Sequence, residues 1–219
     1  AYASNRSVYS YTEDGVLDRG LSLYNVHTDG SMIYYRTRLQ STRAWNPKAG
    51  FQNWGAHMIT ANLYLVDWLE EKGFSYDVYT DEDLHSNGYS LLSRYSCIIL
   101  GSHPEYCTQQ MVEAISTYSK TGGRILNLAG NSLYWVISID KQRPHIMELR
   151  KGGEADYGPT YRPRPGEAQH STTLELGGLW SRRRMSPSEI LGVEFSANVW
   201  RDAASPQGYR RTIDSFDPG

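Results

Sequence analysis

Between residues 57 and 128 the chain alternates helical and strand patterns joined by short polar connections, and this order constrains the fold more than any other feature. Ile59, Leu63, Val66 and Leu69 recur at helical spacing, and Lys72-Gly73 supplies a basic last turn followed by a C-terminal glycine. Residues 74–79 form a short strand candidate, Asp81-Glu82-Asp83 a helix-capping surface cluster, and residues 90–94 one helical turn. Residues 95–100 (YSCIIL) read as a strand buried on both faces, ending at Gly101. In residues 108–120 Met111, Ile115 and Tyr118 share one stripe, with Thr108 as N-cap and Gly122-Gly123 as the stop. Residues 124–128 (RILNL) are the next buried strand. Parallel neighbours need a crossover between them, so helix, strand, helix, strand predicts an α/β fold built on a parallel sheet.

The flanks are less regular. Residues 1–56 are rich in Tyr, Ser, Asn and Arg and read as an irregular leader with one short strand near residues 31–39. Residues 57–136 are the βα core, and residues 137–219 read as strands and loops folded over the carboxyl edge of the sheet, the whole forming one domain. The opening AYASNRSVYS has neither a signal peptide nor an initiating Met, so the expectation is a segment of a longer chain. A strand preceding the first helix would lie before Ala1.

Composition narrows the function. Twenty-two basic against 24 acidic side chains give a formal charge of −2, which provides no cationic field for nucleic acid or anionic membranes. No run approaches the roughly 18 apolar residues that cross a bilayer. Two cysteines cannot build a disulfide framework, and they suit a reducing compartment, so a cytoplasmic location is expected.

Ligands of open parallel sheets bind beyond the carboxyl ends of the strands. Two segments fall there, Gly101-Ser102-His103-Pro104-Glu105-Tyr106-Cys107 and Ala129-Gly130-Asn131-Ser132-Leu133-Tyr134-Trp135. The first crowds an imidazole, a carboxylate, a phenol and a thiol before a helix N-terminus. A Cys107 nucleophile with His103 as base is one reading, and a small half-buried structural cysteine the plainer one. No H-E-x-x-H or H-x-H spacing occurs; His145 and Glu148 read as surface polar residues, and Arg182-Arg183-Arg184 as a solvated or subunit-facing turn.

The strings NLYLVDWLEEKGFSYDVYTDEDLH, GSHPEYCT, GGRILNLAGNSLYWV and HSTTLELGGLWSRRR occur in one order, and together they resemble the large subunit of N,N-dimethylformamidase and its relatives. The resemblance covers most of residues 57–200 and implies a glutamine-amidotransferase-like (flavodoxin-like) three-layer sandwich. The family's large subunit is considerably longer than this chain. The resemblance further implies a mononuclear iron hydrolase whose metal, Fe(III), is held by two tyrosinates and one carboxylate. Tyr64 and Tyr106 match the phenol positions and Glu175 the carboxylate, with Glu167 as its alternative. Thr60 matches a hydroxyl position near the metal, and His170 and Asn198 resemble positions around it or facing substrate.

Hard anionic oxygen donors suit ferric iron better than zinc, and two phenolates with one carboxylate cancel its charge. Glu105 or His170 is expected as general base, with Thr60 and Asn198 on the substrate. Tyr134, Trp135 and Trp180 are expected to wall a small dry pocket. The activity implied is hydrolysis of small N-substituted formamides to formate and an amine, with a small subunit and further copies of the large subunit as partners. Rival readings are a noncatalytic amidotransferase-like binding domain and the Cys107 thiol hydrolase.

Overall fold

The computed structural model describes Leu23 and residues 29–39, 59–152 and 165–195. In chain order these hold β1 (Tyr35–Thr37), α1 (Ile59–Glu71), α2 (Asp81–Asn87), α3 (Tyr89–Leu92), β2 (Cys97–Leu100), β3 (Tyr106–Cys107), α4 (Gln109–Lys120), β4 (Arg124–Asn127), β5 (Trp135–Ile139), β6 (Ile146–Leu149), a 3-10 turn (Trp180–Arg182) and α5 (Pro187–Leu191). Asn198 and most of the leader lie outside the described residues. No helix among them is long and apolar enough to cross a membrane.

Local chemistry accounts for the helices. Thr108 caps α4 by accepting from the Met111 N–H, and the chain leaves at Gly122, whose φ of +89° suits glycine. Thr80 caps α2 in the same way, and its backbone N–H donates in return to the Asp83 carboxylate, so the acidic triplet is the first turn of a helix.

Two sheets result. β2 and β4 pair in parallel, with α4 between them in sequence. A second, four-stranded sheet has the order β1-β6-β5-β3, in which β1/β6 and β6/β5 are antiparallel and β5/β3 parallel. Strand alternation in β5 sends Val136 into a cluster with Cys107, Met111, Ile115, Leu133 and Trp180, while Trp135, Ile137 and Ile139 join Tyr106, Met147, Leu149 and Leu179.

Several expectations are corrected. Residues 74–79 form no strand, and Phe74, Val78 and Tyr79 are exposed. The β2 strand is half-buried rather than enclosed, because α4 covers one face through Ile98 and Leu100 while Cys97 is open. Leu63 and Trp68 of α1 are exposed too, while Leu69 is buried. Glu148, expected at the surface, is wholly buried in β6.

Candidate functional site

The loops that leave β2 and β4 are fastened to one another by the backbone. Gly130, Leu133 and Tyr134 donate their N–H groups to the carbonyls of Ser102, Pro104 and Glu105, and Trp135 donates to Glu105 as well. Asn131 and Leu133 carry φ values of +51° and +52°, which non-glycine residues seldom adopt, so surrounding bonds hold this loop in a costly conformation. Strain of this kind clusters at functional sites.

Side chains add charge to that junction. The Glu105 carboxylate is buried and lies 3.0 Å from His103 Nε2. Lys151 is buried near Glu105, and burial brings its ammonium down to about 7 against the pull of that carboxylate. Its Nζ stands 5.7 Å from the centre of the Trp135 ring. Arg36 is also interior; burial lowers its pKa, and Tyr106 opposes the shift.

A second polar group lies across β5 and β6, where register pairs Ser138 with Glu148 and Tyr35 with Glu148. Glu148 is 0% exposed and accepts from Arg150 Nε at 2.7 Å, from the Ser171 and Thr172 N–H groups at 2.9 and 3.1 Å, and from the Thr172 hydroxyl at 2.9 Å. Burial, the largest influence, would raise this carboxyl; the Ser171 N–H, the Arg150 guanidinium and the Thr172 groups outweigh it and hold it at about 2. His170 is likewise 0% exposed, its Nδ1 2.7 Å from Ser138 Oγ, and its Nε2 has no partner among the described residues. Burial pushes this imidazole down to about 4, so it is neutral at pH 7.

The residues expected as metal ligands occupy different surroundings. Tyr106 is 3% exposed in β3, packed with Trp135 and Met147. Glu175 pairs with the Arg183 guanidinium, which lies 4.9 Å from the centre of the Trp180 ring. Tyr64 is 66% exposed. Its helix touches the loop through Asn62, whose Oδ1 accepts from the Ser102 N–H, and Tyr64 stands two residues on, about 200° around the helix. The donors suit a hard trivalent cation by type, yet the described geometry does not gather them into one shell. Glu167, the alternative carboxylate, is part-buried and acts on the Tyr34 phenol, which burial first and Glu167 second raise to about 12.

The remaining sites divide. Thr60 is the second residue of α1. Glu105 and His170 are both interior, but they serve separate polar groups, with His103 and Ser138 as their respective partners. Cys107 is 1% exposed, and burial, with Asp81 adding to it, raises its thiol strongly. Burial of this kind disfavours thiolate and weighs against the cysteine-nucleophile reading. Tyr134 and Trp135 are packed in one buried cluster and Trp180 in the other. Sequence reasoning missed Glu148 and Lys151. The run IMELRK offered one signal, a carboxylate between apolar residues at strand spacing.

Comparison with known proteins identifies the family. The family described as N,N-dimethylformamidase beta subunit-like, C-terminal, matches residues 1–217. Relatives named N,N-dimethylformamidase beta subunit, from Paracoccus aminophilus and from an Alcaligenes species, are each 37% identical over 180 residues, or 81% of this chain. The match spans 23% of each relative's length, so this chain corresponds to about a quarter of them. The chain belongs to the N,N-dimethylformamidase beta subunit-like, C-terminal family.

Proposed function

We propose that this chain is the site-bearing part of an iron-dependent amidohydrolase. The reaction takes a small N-substituted formamide and water to formate and an amine, with N,N-dimethylformamide giving dimethylamine. The observation that carries the reading is the pairing of buried Glu105 with part-buried His103 at the carboxyl end of β2, on a loop locked to the strained Asn131–Leu133 loop, in a member of this family. Glutamine-amidotransferase-like architecture is part of the proposal, supported by the parallel β2/β4 pair and its intervening α4.

Tyr64, Tyr106 and Glu175 are the donors the family resemblance assigns to iron, and it is their chemical type, not their arrangement here, that supports Fe(III). When bound, such an ion supplies Lewis acidity toward a carbonyl oxygen and acidifies water. The protein's own contribution is proton handling. Glu105 fixes the His103 ring by its bond to Nε2 and stabilises positive charge there, so the couple can take a proton from water and return it to the leaving amine. Lys151, brought near neutrality, sets the charge around Glu105. Among the described residues His170 acts from a separate buried position and orients its own segment through Ser138.

The relatives are named as beta subunits, which supports assembly with a small subunit and further copies of the large one. The two free cysteines support a reducing, cytoplasmic setting. A noncatalytic binding domain is the reading to be defeated. The full-length subunit, assembled with its partners, is expected to release formate and dimethylamine from dimethylformamide. His103→Ala should lower kcat by 10²–10⁴-fold. Unchanged turnover in that variant would remove the proton-transfer role, and absence of formate release from the wild-type assembly would remove the enzyme reading.

A further inference from the structure

We infer that Glu148, acting through the hydroxyls of Thr172 and Ser138, fixes which nitrogen of His170 carries the proton, and so makes Nε2 a buried acceptor site for water. The inference stands apart from the proposed metal site and uses none of its donors. It starts from a row of side chains across the β5–β6 pair, where Ser138 and Glu148 are register partners.

Proton directions along the row follow from its acceptor-only member. Glu148 is ionised, so every group that bonds it must donate. The Thr172 hydroxyl lies 2.9 Å from Oε2 and gives its proton there. Ser138 Oγ meets Thr172 Oγ1, whose proton is spent, so Ser138 donates to it. His170 Nδ1 lies 2.7 Å from Ser138 Oγ, whose proton is spent in turn, so Nδ1 carries the hydrogen and donates. A neutral imidazole has a single N–H, which leaves Nε2 with a bare lone pair. With Nδ1 bare instead, the two hydroxyl protons would have to fill three contacts, and one contact would set lone pair against lone pair. Giving up the contact to Glu148 is the worst of these choices, since a bond to an ionised acceptor is roughly twice as strong as one between neutral groups. Against burial, the Ser171 N–H, the Arg150 guanidinium and the Thr172 groups hold Glu148 at about 2, so the row orients hydrogens and does not carry one away.

Nε2 is the open end. His170 is 0% exposed, and Nε2 has no partner among the described residues. A buried acceptor without a donor costs free energy, and water is the smallest molecule that supplies an O–H. The same lone pair repels a carbonyl oxygen, so the position takes a donor and refuses an acceptor.

The test is nitrogen NMR of the full-length subunit labelled at histidine, at neutral pH, with His170→Gln to identify the signals. Wild type is expected to show a protonated Nδ1, a lone-pair Nε2, and magnetisation transfer from water protons to Nε2. Thr172→Val keeps the volume and removes the hydroxyl that takes the Ser138 proton. Ser138 then satisfies its own proton by donating to Nδ1, and the tautomer should invert, with the hydrogen on Nε2. Thr172→Ser returns the hydroxyl and should keep the wild-type form. Ser171→Ala removes a hydroxyl from the same carboxylate outside the row and should also leave the tautomer unchanged. Where Thr172→Val does not fold, Ser138→Ala cuts the row next to the ring and should move the hydrogen to Nε2 as well. A wild-type His170 protonated at Nε2 or at both nitrogens overturns the inference, and so does absence of transfer from water. An unchanged tautomer in Thr172→Val, or an equal inversion in Ser171→Ala, overturns it too.

Discussion

Trp180→Ala is expected to lower the stability of this region by about 3–5 kcal/mol. The indole is 0% exposed and packs with Cys107, Val112, Leu133 and Val136. Its Nε1 also donates to the Cys107 carbonyl at 3.1 Å, tying the 3-10 turn to β3. Truncation removes the largest side chain of that cluster and leaves a buried carbonyl without its donor, a further penalty of about 1–3 kcal/mol where water cannot replace it. Trp180→Phe keeps most of the packing and should lose only the smaller part. Trp68→Ala, at a half-exposed position on α1, should cost less than about 1 kcal/mol. The measurement is hydrogen exchange of α4 and β5 amides in the full-length subunit. Equal effects from the 180 and 68 substitutions would show that the indole does not hold these elements together.

Acid should open the same region in two stages, and the signs follow from the two buried groups. His170 has a folded value near 4, below the ordinary 6.5, so the folded state binds fewer protons than the unfolded chain across that interval. Stability therefore falls as pH drops from 6.5 toward 4, by an amount on the order of 3 kcal/mol at most. Glu148, held at about 2 against an ordinary 4.5, contributes stability that is complete above 4.5 and lost as pH falls through 2. His170→Gln should remove the upper stage while leaving the lower one. A protection profile at residues 169–176 that is flat from pH 7 to 4 would contradict the burial of a neutral imidazole.

The contrast between these groups and α4 shows what the sequence makes visible. The helix is legible because its signals are local: Thr108 three residues before Met111, an apolar stripe, and Gly122-Gly123 to end it. The same holds for α1, predicted from Ile59 to Leu69 and found over Ile59–Glu71, and for the β2 and β4 strands. Burial of those strands was overestimated because apolar content says which residues tolerate an interior, not what covers them. The antiparallel pairing of β1 with β6 depends on partners more than 100 residues apart, Tyr35 with Glu148 among them, and no local pattern encodes it.

Glu148 illustrates the limit for a candidate site. Read locally, a glutamate in IMEL is a surface residue; its burial becomes tolerable only because Ser171, Thr172 and Arg150 arrive with matching donors. Glu105 was legible from its place after the β2 strand, and its partner His103 lies two residues away. Tyr64 was singled out by resemblance alone, and in this structure its ring faces solvent.

Iron content therefore tests the central claim most directly. Full-length subunit carrying Tyr106→Phe should be compared with wild type by metal analysis and by the visible phenolate-to-iron absorption band. The account predicts a coloured wild-type protein with near-stoichiometric iron, and a Tyr106→Phe variant that is colourless and retains less than about a tenth of the metal, since one of three anionic donors has been removed. A Tyr106→Phe protein with undiminished iron and an unshifted band would contradict it.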